Sequence, residues 1–408
     1  MSIDSGKYST GASGGPLTGV RILDLTTVVM GPYATMILSN LGADIIKLEP
    51  PAGDIMRYVG PMKNPQMGHS FLNANHGKRS IVLDLKRAEA RAAALELARS
   101  SDVFVHNIRP DALNRLGLGY EAVADINPKI IYAAAIGFGT GGRYSGKPAY
   151  DDLIQGIVGI PSLVMESGGD IPRYLPTPIA DRSVGLYLVG MISSALYARE
   201  VSGKGQSIEV PMFEVLSQYV LGDHMAGLSY EPAQGGPHYT RLISKDRRPY
   251  KTSDGYICAL IYNDSHWQAF FNILGEPDKF HKDGRFSSQT ARSANIDEVY
   301  AFVSLILETK ATSDWLEIFA QHDIPAMPLN TIPSLLEDPH LEDVGFFEFG
   351  EHPTEGRLRR MKPPEKWSET PSEIQGFAPN LGEHSREILS EIGMSAEAID
   401  LALETNNK

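Results

Sequence analysis

Short apolar runs rich in β-branched residues alternate with helix-forming stretches over roughly the first 140 residues. An alternation of this kind argues for a parallel sheet covered by helices. Residues 20–25 (VRILDL), bounded by Gly19 and Thr26, have the composition of a buried strand. Gly31-Pro32 follows, then helical spacing over 33–41, with Pro32 suited to a first helical turn. Residues 44–49 (DIIKLE, stopped by Pro50-Pro51), 80–85 (SIVLDL), 102–106 (DVFVH) and 129–136 (KIIYAAAI) read as further strands. Between them, 86–99 is rich in Ala, Glu, Leu and Arg, all strong helix formers. The expected fold class is α/β, with an open Rossmann-like parallel sheet in a large domain. Ligands of such sheets lie beyond the carboxyl ends of the strands, which here are 26–31, 50–54, 106–110 and 137–150.

The pattern changes further on. An apolar helix is expected over 184–198 and a strand over 206–210, after the turn Gly203-Lys204-Gly205. Ser253-Asp254-Gly255 before YICALIY signals a hairpin. Helical spacing follows at 266–274, 296–307 and 313–321. These features place a polar leader at 1–16, the large domain at 17–225 and a smaller α+β domain at 226–330. A C-terminal segment, 331–408, returns to the large domain. That segment shows only short strand signals before a helix near 384–392.

Composition narrows the function. Fifty acidic residues against 37 basic ones give a net charge of −13, which disfavours a nucleic-acid partner. An anionic ligand would need positive groups gathered locally. The single cysteine, Cys258, excludes an intrachain disulfide and a cysteine metal cage, and it fits a reducing compartment. No run reaches the roughly 18 unbroken apolar residues of a membrane span. The opening MSIDSGKYSTGASGGPL has no apolar centre, so a cytoplasmic enzyme without a membrane partner is expected.

Motifs narrow it again. Residues 137–142 (GFGTGG) fit G-x-G-x-x-G, but no helix pattern follows and the strand before them is not the first. The reading as a flexible loop outweighs that of a dinucleotide cradle. There is no P-loop, no G-x-S-x-G and no H-E-x-x-H, so no metal site is expected. Asp181 stands where the apolar helix begins. An N-cap is the ordinary use of Asp there, and a helix N-terminus also favours the ionised carboxylate that a nucleophile needs.

Together these segments resemble the class III CoA-transferase family, which includes formyl-CoA transferase, carnitine CoA-transferase and alpha-methylacyl-CoA racemase. The likeness rests on GVRILDL at 19–25 with Gly31-Pro32, on LGADIIKLEP at 41–50, and on 75–84. It continues through Asn107-Ile108-Arg109-Pro110, LNRLG at 113–117, Gly137-Phe138-Gly139 and Pro148-Ala149-Tyr150-Asp151. Asp181 with Gly185, and Gly203-Lys204-Gly205-Gln206, complete it; weaker likeness extends to about residue 345.

The resemblance implies an interlocked homodimer and an Asp181 nucleophile that carries first an acyl anhydride and then a CoA thioester. It implies no permanently bound cofactor, with coenzyme A and acyl-CoA as substrates beside a carboxylic acid. Along the CoA it implies Asn75, His76, Gly77, Lys78, Asn107, Ile108, Arg109 and Arg115, with the backbone of Val29 and Met30 passing the nucleotide. Lys147, Tyr150 and Asp151 would lie near the pantetheine and the reacting end.

Departures from the pattern bear on the substrate. Val29 stands where formyl-CoA transferase has Gln, and Pro50 where it has Arg. Its run of lid glycines is reduced here to Gly235-Gly236, with 244–248 nearer the expected place. Tyr150 stands where the racemase branch has a His base, and a neutral phenol is a poor base at pH 7. CoA transfer is therefore expected ahead of racemisation. A CoA-binding protein without activity, and a nicotinamide dehydrogenase resting on 137–142, stand further off.

Overall fold

The structure, a computed structural model, describes residues 14–404. Most of the expected leader, residues 1–13, lies outside the described residues. Six strands form one parallel sheet: β1 Arg21–Leu25, β2 Asp44–Glu49, β3 Lys78–Val82, β4 Val103–His106, β5 Ile131–Ile136 and β6 Gln206–Pro211. Their order is β3-β2-β1-β4-β5-β6. The connections reverse direction between β1 and β4, and this switch point is where doubly wound sheets open a ligand crevice.

Strand β3 starts two residues earlier than the apolar pattern suggests, because Lys78 and Arg79 pair with Ile45 and Ile46 of β2. Their charges looked like loop. Inside the fold they are neutralised by Asp24 and Asp44.

The helices up to residue 224 are α1 Met30–Asn40, α2 His69–Ala74, α3 Ala88–Arg99, α4 Pro110–Leu116, α5 Tyr120–Ile126, α6 Asp151–Ile157, α7 Ile160–Glu166, α8 Ile179–Ser202 and α9 Met212–His224. Helix α3 turns Ala90, Ala93, Ala94, Leu97 and Ala98 into the core. These share a cluster with Leu23, Ile46, Ile81 and Phe104 of the sheet. The same cluster takes Ile388 and Leu389 from helix Ser385–Glu391, and Ile399 and Ala402 from helix Ala396–Leu403. The latter helix was not foreseen in the C-terminal segment, whose short strand signals correspond to the antiparallel pair Phe347–His352 and Gly356–Met361. The strand pair carries its aromatics beneath arginines, with Arg357 lying 4.4 Å from the Phe349 ring centre.

The described chain divides into two units. The first comprises the residues up to Val158, Pro176–Ser217, and those from His340 onward; the second comprises Gly159–Leu175 and Gln218–Pro339. These bounds differ from the expected 17–225, 226–330 and 331–408. Helix α9 runs unbroken across one border, so no loop-forming composition marks it. The stretch from Gly159 belongs with the second unit, where Glu166 pairs with His238 at 3.0 Å. The second unit has a three-stranded antiparallel sheet of Tyr250–Lys251, Tyr256–Ala259 and Ala326–Pro328. Its core is built from Trp267, Phe270, Phe271, Phe286, Trp315 and Phe319.

Helix α8 has 24 residues and contains an 18-residue stretch of mean hydropathy 1.2, long and apolar enough by those measures to cross a membrane. Its stripe of Ala180, Val184, Leu188, Ile192, Ala195 and Leu196 is nevertheless buried within the protein. Gly185 sits one turn after Asp181, and a Cβ there would lie 2.8 Å from the Met30 carbonyl oxygen and 3.1 Å from the Tyr33 ring. The glycine thus permits α1 and α8 to approach closely. A Gly185→Val substitution should cost about 1–3 kcal/mol through overpacking and push the start of α1 away. A lowered Tm together with a raised KM for acyl-CoA would be its signature.

Candidate active site

A cavity of about 450 Å³ opens at the switch point, lined wholly by residues of the first unit. Thr27, Val28 and Met30 come from the end of β1 and the start of α1. Asn107, Arg109 and Arg115 come from the end of β4 and from α4. Lys147 and Tyr150 arrive on the loop after β5, and Asp181 on the first turn of α8. Thus Met30, Asn107, Arg109, Arg115, Lys147, Tyr150 and Asp181, all singled out from the sequence, meet in one wall.

The loop after β1 is clamped from two sides. The Asn107 side-chain amide donates to the Thr27 carbonyl at 2.8 Å and accepts from the Thr27 N–H at 3.1 Å. The Val28 N–H donates to Asp54 at 3.2 Å. Val28 itself has φ of 73°, a left-handed conformation that a β-branched residue adopts only when its surroundings enforce it. Asp54 belongs to the second expected strand end, 50–54, which folds beneath this loop instead of into the cavity. Its carboxylate also pairs with buried Lys47 at 3.0 Å, and Lys47 donates to the Thr26 carbonyl at 2.8 Å.

The expected residues 75–78 do not reach the cavity. The Lys78 ammonium is fully buried and donates to Asp24, Thr35, Asn75 and the Pro32 carbonyl. Burial pulls its pKa down to about 8, with Asp24 opposing that pull, so it is charged at neutral pH and spent on an internal partner. Asn75 is spent on the same ammonium and on the Phe71 carbonyl. Burial, then the charges of Lys78 and Arg360, depress the His76 pKa to about 4. His76 is therefore neutral and supplies no positive charge for a phosphate. Gly77, at φ of 73°, donates its N–H to the Phe377 carbonyl at 3.2 Å. Val29 caps α1 through its carbonyl, and the Ile108 carbonyl meets His106 Nδ1 at 3.0 Å. Neither of these two lines the cavity.

Asp181 is not the N-cap of α8. Pro178 holds that position, and no side chain of the helix caps it. Asp181 lies in the first turn, and its N–H donates to Asp151 Oδ1 at 2.9 Å. Asp151, from α6, therefore does the capping and frees the Asp181 carboxylate for the cavity. The expectation that the helix start would favour ionisation is also corrected. Burial first, and the Asp151 carboxylate second, raise the Asp181 pKa to about 7 against the opposing charge of Arg182.

The G-x-G-x-x-G stretch is no phosphate cradle. Turns, not a helix, follow it. Its Gly139 and Thr140 N–H groups donate to the Glu214 and Glu209 carboxylates at 2.9 and 2.8 Å. Among the described residues no group of three or more His, Cys, Asp or Glu could hold a metal.

The model of CoA-transferase family III matches residues 17–385. The chain belongs to that family. It is an enzyme, a class III CoA-transferase. The transferase is 32% identical over 386 residues to a succinate–glutarate CoA-transferase of Agrobacterium fabrum, covering 92% of this chain and 96% of that one. It is 36% identical to an acetyl-CoA:oxalate CoA-transferase of Acetobacter aceti, over 77% of this chain and 81% of that one. Among solved structures, a CAIB/BAIF family protein from Brucella suis superposes with a TM-score of 0.77 at 30% identity, covering 93% of this chain and 100% of that one.

Sequence reasoning missed Thr27, Val28, Asp111 and Met212 in the cavity wall of the transferase. The rule of strand ends points to the loops of the first two. Met212 gave no signal, because it is one apolar residue at the start of α9, just after β6.

Proposed function

We propose that the transferase moves CoA from an acyl-CoA donor to a free carboxylic acid, with Asp181 as the nucleophile. One observation carries the reading. A freed, half-buried carboxylate shares a cavity wall with Arg109, Arg115 and Lys147 in a chain whose net charge is −13. Those cations, with the positive end of α1 at Met30, suit the phosphates of CoA. Asn75 to Lys78 would support the nucleotide-side loops from beneath.

The Asp181 carboxylate attacks the donor thioester carbonyl. The C–S bond breaks, leaving a mixed anhydride and CoA thiolate. The thiolate attacks the Asp181 carbonyl of the anhydride and releases the donor acid as its carboxylate, leaving an aspartyl-CoA thioester. The acceptor carboxylate attacks that thioester and expels the thiolate again. The thiolate then takes the acceptor acyl group and restores Asp181. No net proton is consumed, and each step replaces the slow direct exchange of a carboxylate with a thioester. Tyr150 in place of a His base favours transfer over racemisation.

A homodimer fits the solvent-exposed Leu186, Tyr187, Tyr197 and Val201 of α8 and Leu153 and Ile157 of α6, since clustered apolar side chains of this kind call for cover. An interlocked arrangement is the form we propose, in the cytoplasm, where the lone thiol Cys258 stays reduced.

The test is chemical trapping. The enzyme is mixed with acyl-CoA donors paired with several carboxylates, and hydroxylamine is added to half of each mixture. A new acyl-CoA and a hydroxamate on the peptide containing Asp181 are expected. Transfer without any modification of that peptide would overturn the assignment.

A further inference from the structure

The second unit holds a cavity of its own, of about 430 Å³. Arg241, Arg247 and Arg248 line it together with Tyr250, Cys258 and Tyr300, and no carboxylate is in its wall. Three guanidinium groups around one cavity are conspicuous in a chain of net charge −13.

The arginines stand on an anchored turn. Ser244 is buried and donates its hydroxyl to Asp297 at 2.6 Å. The Arg247 N–H bonds the Ser244 carbonyl, and the Arg248 N–H bonds that of Asp246, both at 3.0 Å. Pro249 then leads into the strand that begins at Tyr250. The side chains differ in how they are used. Arg248 pairs with Asp246 at 3.1 Å. Arg241 is oriented through Nε, which donates to the Tyr300 hydroxyl at 2.8 Å. Among the described residues the Arg247 guanidinium has no acidic partner. The rest of the lining includes the apolar Ala259, Leu260, Pro325, Ala326 and Met327.

We propose that this cavity binds a small dicarboxylate. A guanidinium fork matches a carboxylate through two parallel hydrogen bonds. Arg247 and the outer edge of Arg241 provide two forks, and the apolar lining accommodates the methylenes between two carboxylates. The site is read from the second unit alone and stands independently of Asp181.

Cys258 makes the test direct, being the chain's single thiol and part of the wall. The rate of Cys258 alkylation by iodoacetamide is followed in the full chain with succinate, glutarate, acetate or inorganic phosphate, at constant ionic strength. Succinate or glutarate should slow alkylation at least fivefold with saturation, and acetate should not. Protection should vanish in Arg247→Gln and Arg241→Gln, with the unprotected rate unchanged, and persist in Asp181→Asn. The last variant separates this site from the catalytic proposal. If the thiol is unreactive, the shift in Tm with the same anions decides, expected for dicarboxylates in the wild type and lost in Arg247→Gln. Equal effects of acetate and dicarboxylates, an effect of phosphate alone, or no effect in either readout would overturn the proposal.

Discussion

Replacing Asp181 by Asn should lower kcat by at least about 10⁴-fold, the scale on which removing a covalent nucleophile acts, and should leave CoA binding in place. It should also make the protein more stable. In the folded chain the pKa is raised to about 7 from 3.8, so the folded state binds more protons than the unfolded one. The group favours folding in acid, and that contribution is lost as pH rises through about 7. A neutral Asn removes the cost of holding a buried charge. At about 1.4 kcal/mol per pKa unit, a gain of roughly 1–2 kcal/mol above pH 7 is a discounted expectation for a side chain still partly open to water. Calorimetry at pH 6 and pH 8 reads it: the variant's advantage should grow with pH. The same ionisation should shape the rate of the wild type. Activity should rise through about pH 7 as the nucleophile loses its proton. Asp151→Asn should move that limb to lower pH, because it removes the negative charge that holds the Asp181 proton on while leaving an acceptor for the Asp181 N–H. A limb that stays in place would show that Asp151 acts only as a cap.

Lys78→Ala should destabilise the protein by about 3–5 kcal/mol, the range for breaking a buried ion pair from one side. Asp24 would be left buried beside two hydroxyls and Lys47 without its nearest cation. The loss should appear in denaturant midpoints. The KM for acyl-CoA should change little at temperatures where the variant is folded. Arg115→Gln should do the reverse, raising that KM about tenfold through one lost charge-assisted contact with little change in stability. A Lys78→Ala protein of normal stability and poor CoA affinity would return Lys78 to the ligand.

These two residues show where the sequence is legible. The sheet follows from runs such as 44–49, whose apolar content and Pro50 stop are local signals. The loops that line the cavity follow from the sheet, since strand ends are where ligands go. What cannot be read is which charges are turned inward. Lys47, Glu49, Arg57 and Lys78 look like solvated residues in a pattern, yet all are buried. Glu49 is held by Arg57 at 2.7 and 2.8 Å and by the Ser80 hydroxyl at 2.7 Å. Those pairings depend on the side-by-side arrangement of β1, β2 and β3, which no single segment encodes. The capping role that an Asp at a helix start ordinarily has fails at Asp181 for a similar reason. Its place at the helix start is local, but the Asp151 that caps it comes from another helix, 30 residues earlier.

The closing of the first unit by its C-terminal helices has a consequence for synthesis on the ribosome. Arg21 on β1 and Arg79 on β3 both pair with Glu391, and Arg57 donates to the Pro379 carbonyl at 3.2 Å. Ile388 and Leu389 fill the core beneath the first strands. The N-terminal strands therefore leave the ribosomal exit tunnel hundreds of residues before the groups that complete their packing. Contacts so distant in sequence form late, and exposed strand edges invite misassociation while they wait. The nascent first unit should be an incomplete, chaperone-seeking species until translation has passed its last helix, so the parallel sheet that carries the active site is also the part of the chain that matures last.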